Sequence, residues 1–360
     1  MAASTGSDRL RCEMAFFMLK QLRAGARHPY CTGMRKLILF ALTVALCAQQ
    51  QQPQKPVDDG LATIKVDVNV VNILASVRDK KGALMPHLDK QDFNILEDGK
   101  PQTIKYFTRE TDLPLTIGML VDTSGSQVNL IGIERNAASQ FFSQVLGKKD
   151  EAFLLMFGEE SELLQDYTNS IRLLNEGLNQ LRLSAPVGGL GPGPVPTVGQ
   201  QRGTVLYDAV YLASAEKLKQ EVGRKVIVVI TDGVDEGSKL PIEEAIEAAQ
   251  KSDAVIYSIL YEDRGFYSGF GRLGFGGGGE AALHKMSDAT GGHVFRVDNR
   301  HPLDEVFKEL QDEMRTQYAI GYTPTNELRD GSYRKLDVKM VNKDLKAQAR
   351  KGYYATKLEQ

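Results

Sequence analysis

Four short stretches of this chain are almost unbroken runs of apolar residues: LTIGMLV (115–121), AFLLMF (152–157), and the apolar parts of KVIVVITDG (225–233) and AVIYSILYE (254–262). A strand with one wet face alternates apolar and polar residues. A continuous run suits a strand buried on both faces, as in a parallel sheet covered by helices. Amphipathic stretches fall between the runs, such as IGIERNAASQFFSQVL (131–146). Further helices are expected near 170–182, 204–219, 241–252, 280–289 and 302–316, with shorter strands near 162–167 and at HVFRV (293–297). Strands alternating with helices in this way specify an α/β, doubly wound, mostly parallel sheet of the Rossmann-like kind.

On either side of this region the period changes to two. Ile64, Val66, Val68 and Val70 alternate with polar neighbours, and LASVRD (74–79) ends at Lys81-Gly82. DFNILEDGKPQTIKYF (92–107) reads as a hairpin turning at Asp98-Gly99. Near the other end Leu336, Val338 and Met340 alternate, Asn342-Lys343-Asp344 is a turn, and Leu345, Ala347 and Ala349 follow. Neither block has enough strands to bury a core alone. The economical arrangement is one small discontinuous β-sandwich made from 61–112 and 319–356, with the α/β domain (113–318) inserted between its halves.

The first 48 residues have a different character. Met34-Arg35-Lys36, the apolar LILFALTVAL (37–46) and CAQQ form a basic start, an apolar middle and a small-residue exit, the pattern of a signal peptide at 34–48. Ten apolar residues are too few to span a bilayer, which takes roughly 20. Translation from Met34 and export to the periplasm, cell surface or medium are therefore expected. After signal cleavage nothing here calls for an integral membrane protein. Cys47 raises a lipid anchor, against which bulky Leu46 argues. Residues 49–60 are a polar linker. All three cysteines lie at or before residue 47, so the rest of the chain holds no disulfide or thiolate metal site. Beyond residue 48 the chain carries 37 Lys and Arg against 44 Asp and Glu, an unfavourable balance for non-specific nucleic-acid binding.

The chemistry concentrates in LVDTSGSQV (120–128). Asp122, Ser124 and Ser126 stand at the carboxyl end of the first buried strand, where open α/β sheets present ligands. Asp232, in ITDG, occupies the equivalent end of another strand, and Thr204 opens a helix after the Gly/Pro-rich 185–203 loop. Together they supply two carboxylates and three hydroxyls. An all-oxygen set suits a hard cation, Mg²⁺ first with Mn²⁺ or Ca²⁺ as alternatives, rather than zinc.

The DxSxS of DTSGS, the Thr of GTVLYDA (203–209) and the Asp of TDG resemble the metal-ion-dependent adhesion site of von Willebrand factor A (VWA) domains, in family order. The flanking VRDKKG, DFNILEDGKPQTI and RKGYY are similar to the VWFA-related proteins typical of acidobacteria, which extends the resemblance over about 61–354. The resemblance implies a Rossmann-like sheet whose metal binds a carboxylate of a protein partner. Ser124, Ser126 and Thr204 would be direct ligands, with Asp122 and Asp232 direct or through water. Asp208 has two readings, as an outer support of the metal or as an ordinary first-turn helix acid. Asp235 and Glu236 read as a solvated acidic loop beside the site.

Other uses of these residues fit less well. A haloacid-dehalogenase-type phosphatase would need a second Asp where Ser124 stands, because its general acid must carry a proton near pH 7. An aspartic protease needs an uninterrupted DTG-type triplet and a paired copy. A serine hydrolase needs a histidine at a loop end, whereas His284, His293 and His301 fall in or beside regular elements. Gly269, Gly271 and Gly274 echo a dinucleotide fingerprint, but too far from both strand and helix to bring pyrophosphate to a helix N-terminus. The sequence thus reads as an exported, non-enzymatic module capturing an acidic residue of a protein partner, its specificity shaped by loops 185–203 and 264–279. The alternatives are an envelope scaffold with a structural metal and a metal-assisted hydrolase.

Overall fold

The computed structural model describes residues 70–109, 113–127, 129–184, 203–261 and 278–355. The expected signal, Cys47, the linker and most of loops 185–203 and 264–279 lie outside those residues. So do Gly269, Gly271 and Gly274.

A six-stranded sheet organises the α/β part. Its strands are β5 (Leu115–Asp122), β6 (Glu151–Phe157), β7 (Ser161–Thr168), β8 (Arg224–Thr231), β9 (Ala254–Leu260) and β10 (Val294–Arg296). The spatial order is β10-β9-β8-β5-β6-β7, parallel throughout except for the β7 edge. Every residue of β5, β8 and β9 is buried, which explains their unbroken apolar composition.

Helices cover both faces. On one side α1 (Ile131–Val145), α2 (Ile171–Leu178) and α6 (Leu303–Arg315) pack Phe141, Phe142, Leu174, Phe307 and Leu310 against Ile117, Met119, Val228 and Ile230. On the other, α3 (Leu206–Leu212), α4 (Ile242–Lys251) and α5 (Gly278–Thr290) pack Leu206, Val210, Ala249, Leu283 and Met286 against Leu120, Phe153, Ile227 and Val229. The sequence spacing places one helix over 204–219. Instead α3 ends at Leu212 and continues as a π-helical turn over Ala213–Leu218, in which the Ser214 hydroxyl donates to Val210 C=O at 2.7 Å.

The remaining strands form two four-stranded sheets that share one apolar core. One has the order β13 (Leu345–Ala349), β1 (Val71–Asp79), β11 (Tyr318–Tyr322), β4 (Ile104–Arg109). The other has the order β14 (Gly352–Tyr354), β12 (Tyr333–Met340), β2 (Phe93–Glu97), β3 (Lys100–Gln102). Ile73, Phe93, Ile95, Ile104, Tyr318, Ile320, Leu336 and Tyr353 fill the space between them. The α/β region is therefore inserted into a discontinuous β-sandwich. Strands β4 and β11, which lead into and out of it, pair antiparallel with Thr108 opposite Ala319, so entry and exit are neighbours.

The hairpin at Asp98-Gly99 forms, both residues taking positive φ (49° and 79°), but it pairs only Ile95 through Gln102. Beyond Thr103 the chain crosses to the other sheet as β4. The turn at 342–344 likewise joins strands of opposite sheets rather than a hairpin. Both crossings let one chain segment contribute an apolar face to each side of the same core.

Helix α6 locks the sandwich to the α/β region. Buried Glu313 accepts from Arg78 at 2.5 Å and from the Ser76 hydroxyl at 2.9 Å, both on β1. No helix among the described residues is long and apolar enough to cross a membrane.

Candidate functional site

The chain lays down β5, then β6 and β7 on one side of it, and returns to place β8, β9 and β10 on the other. Strand order therefore reverses between β5 and β8, whose adjacent carboxyl ends open the crevice typical of doubly wound sheets. Asp122 ends β5, and Asp232 follows β8 directly. They are buried to 0% and 5% exposure, deep for two acids side by side.

Each carboxylate takes a backbone N–H from its own loop and a hydroxyl from the other segment. Asp122 Oδ1 accepts the Ser124 backbone N–H at 2.9 Å, and Oδ2 accepts the Thr231 hydroxyl at 2.6 Å. Asp232 Oδ1 accepts the Val234 N–H at 3.0 Å, while Oδ2 accepts the Ser126 hydroxyl at 2.6 Å. The Ser124 and Ser126 oxygens are 3.1 Å apart. Since the Ser126 proton is committed to Asp232, Ser124 is the donor of that pair. A continuous chain of oxygens thus runs from Ser124 through Ser126 to Asp232.

Thr204 is brought to the same rim by backbone contacts. Its C=O accepts from Glu236 N–H at 3.2 Å and Gly237 N–H at 3.1 Å, tying its loop to the one after Asp232. The two loops approach so closely that a Cβ on Gly203 would lie 2.4 Å from the Glu236 carbonyl carbon. Val205 N–H donates to Gly158 C=O at 2.9 Å, and Thr123 N–H to Phe157 C=O at 2.7 Å. Both bonds anchor the cup to the end of β6.

The acids nearby have structural duties. Both Asp208 oxygens accept backbone N–H groups, Lys239 at 3.1 and 3.0 Å and Leu240 at 3.0 Å, so it anchors the 233–240 loop. Asp235, read from sequence as part of a solvated loop, is half-buried and accepts from the Ser238 hydroxyl at 2.5 Å and Tyr207 N–H at 3.2 Å. It therefore satisfies the start of α3. Glu236 is exposed. His284 lies on the exposed side of α5, His293 packs edge-on against Phe295, and His301 turns back on Asp298.

Burial pushes the Asp122 carboxyl up to about 7, the neighbouring Asp232 charge adds to the rise, and the bonds from Thr231 and Ser124 oppose it. Glu134, in the first turn of α1, is also fully buried. Burial, and then the charge of Asp122, hold it well above the ordinary carboxylate range. Glu134 lies outside the motif residues that the sequence singles out. Its signal was the spacing of 131, 134, 138, 141 and 145, which puts an acid on the core-facing stripe of an amphipathic helix.

Among the described residues no group of three or more His, Cys, Asp and Glu is arranged to hold a metal by itself. A metal here would depend on hydroxyls as well as acids. The donor chemistry fits a hard divalent cation: two carboxylates carry matching charge, the hydroxyls add neutral oxygens, and both acids are buried against mutual repulsion.

No family model and no curated protein matches the sequence. Solved structures with a similar sheet are found. BatB from Bacteroides thetaiotaomicron is 16% identical over 56% of this chain and 97% of its own, with a TM-score of 0.40. Proximal thread matrix protein 1 from the mussel byssus, solved with a zinc-occupied MIDAS motif, is 13% identical over 61% of this chain and 50% of its own, TM-score 0.42. The SpRpn10 VWA domain is 13% identical over 55% of this chain and 95% of its own, TM-score 0.36. In this chain the sheet reverses order between β5 and β8, with helices on both faces and the DxSxS loop at the reversal. The fold is an open, doubly wound α/β sheet, parallel but for one edge strand. Ser124, Ser126 and Asp232 meet through side chains, Asp122 is linked to them through the Ser124 backbone N–H, and Thr204 is tied by its backbone to the loop after Asp232.

Proposed function

We propose that this chain is an exported VWA-like binding module that captures an acidic residue of a protein partner through a divalent metal ion. Asp122, Ser124, Ser126, Thr204 and Asp232 would hold the ion, Mg²⁺ first with Mn²⁺ or Ca²⁺ as alternatives. Bound there, the ion would supply positive charge to which a partner's Asp or Glu carboxylate is drawn. The observation that carries this reading is the chain of oxygens from Ser124 through Ser126 to Asp232, closed beneath by buried Asp122. These residues have defined roles toward that end. Thr231 and the Ser124 N–H orient Asp122, Val234 N–H orients Asp232, and the bonded loop pairs keep the three segments in register. The signal-like stretch at 34–48 supports export.

Thermal melts with Mg²⁺ and with EDTA, on wild type and Asp122→Ala, test the metal. A ligand at 100 times its Kd stabilises by about 2.7 kcal/mol. Wild type should show that shift and the variant should lose it; a wild type indifferent to Mg²⁺, Mn²⁺ and Ca²⁺ would sink the reading. Capture is tested on arrays of peptides bearing a single Asp or Glu, which should bind with Mg²⁺ and release in EDTA. Metal binding without any carboxylate-dependent capture would favour a purely structural ion.

A further inference from the structure

The carboxylate of Glu134 has a position that the five-residue cup does not explain. It sits one turn into α1, just beyond the loop bearing Ser124 and Ser126, and is 0% exposed. Its backbone N–H donates to Leu130 C=O at 2.9 Å, but among the described residues neither Oε1 nor Oε2 has a hydrogen-bond partner. On the same connection Gln127 is fully buried. Its amide donates to Tyr261 C=O at 3.3 Å, while its Oε1 is also unpartnered. Three accepting oxygens are thus buried without donors beside the cup, and the charge acting on Glu134 is the like charge of Asp122.

A place in the first turn of a helix favours an acid, but the helix dipole offsets only a small part of the cost of burying a carboxylate. Glu313, the buried acid of α6, shows the usual remedy: it is paired with Arg78 and Ser76. Glu134 has no such pairing. Its chemistry instead calls for a positive charge that the cup would hold.

We propose that Glu134 is a third carboxylate of the metal centre, acting at one remove, whose charge is balanced by the bound cation rather than by a protein group. This rests on the metal reading above. Glu134 is then a positioning residue that raises metal affinity through Asp122 and destabilises the metal-free fold.

Glu134→Gln keeps the shape and removes the charge, and Glu134→Met is a second variant that needs no buried partner. Two readouts are taken on the full chain: Mn²⁺ affinity by calorimetry, and melting temperature in EDTA and in saturating Mn²⁺. Outer partners of metal sites commonly set affinity by about 10–100-fold. Glu134→Gln should therefore bind Mn²⁺ roughly 10-fold or more weakly, and Glu134→Met should melt higher than wild type in EDTA. The gain on adding Mn²⁺ should shrink in both variants. If wild type binds Mn²⁺ and both variants bind it equally well, the inference falls and the metal reading stands. If wild type binds no metal, both fall together. A variant that melts lower than wild type by the same amount in EDTA and in Mn²⁺ reveals a packing role and overturns the inference.

Discussion

Two buried acids of this molecule are treated in opposite ways. In the sandwich, Glu97 is 2% exposed and accepts from Tyr322 at 2.5 Å, Tyr353 at 2.9 Å and Arg334 at 3.3 Å. Arg334, itself 1% exposed, also donates to the carbonyls of Asn326 and Leu328. Burial pushes the Tyr353 hydroxyl up to about 12, and its bond to Glu97 adds to the rise, so it remains a donor. At the carboxyl end of the central strand β5, Asp122 is just as deep, but the charge set against it is that of Asp232, and its own charge acts in turn on buried Glu134. A buried acid that serves the fold is surrounded by donors and a cation from its own chain. A buried acid that faces other acids is stable only through something added, whether a proton or a metal ion. The contrast distinguishes architecture from a site more sharply than depth of burial does.

The strongest way to break the comparison is Arg334→Met, which leaves the Glu97 charge buried without its cation. Removing one partner of a buried pair typically costs about 3–5 kcal/mol. Urea melts should show a loss of that size, identical in Mg²⁺ and EDTA. A metal-dependent loss would mean that the two regions are coupled.

Next in size is the response of the metal-free protein to pH. The Asp122 carboxyl is raised from 3.8 to about 7, so between those values the folded chain binds more protons than the unfolded one. Stability therefore falls as pH rises through that window. Besides burial, the Asp232 charge pushes in this direction, and the Thr231 and Ser124 donors oppose it. At about 1.36 kcal/mol per pH unit the loss is at most about 4 kcal/mol, and about 2.7 kcal/mol of it should appear between pH 5 and 8. Urea melts in EDTA at those two pH values test the sign; greater stability at pH 8 would contradict it. Saturating Mg²⁺ should flatten the dependence.

The mildest change, Tyr353→Phe, removes one of three donors to Glu97 and should cost about 1.5–3 kcal/mol, the worth of a hydrogen bond to a charged group. Differential calorimetry should find the same cost with and without metal. A smaller effect would show that Tyr322 and Arg334 suffice.

Much of this was legible beforehand because burial leaves a pattern. The runs at 115–121 and 254–260 could hardly be anything but strands covered on both faces, and the DxSxS loop had to follow the first of them. Less legible was anything set by contacts distant in sequence. Asp98-Gly99 announced a turn, yet nothing local told that the strand after Thr103 would leave its partner for the opposite sheet. Asp235 looked solvated because one of its partners, Tyr207 N–H, lies 28 residues earlier at the start of α3. Glu134 carried a signal, an acid in the core-facing register of α1, but one indistinguishable from an ordinary first-turn helix acid.

By itself the sequence determined the α/β alternation and the flanking period-two strands, and it offered the five oxygen-bearing residues proposed for the cup, because each depends on local spacing and residue type. Only the tertiary structure decided that β5 and β8 lie side by side, which is what brings Asp122 and Asp232 together. It alone decided that Glu97 is neutralised by Arg334 across 237 residues of chain while the Glu134 carboxylate has no hydrogen-bond partner among the described residues. Charge compensation is a property of neighbours in space, and neighbours in space are set by how the strands are ordered.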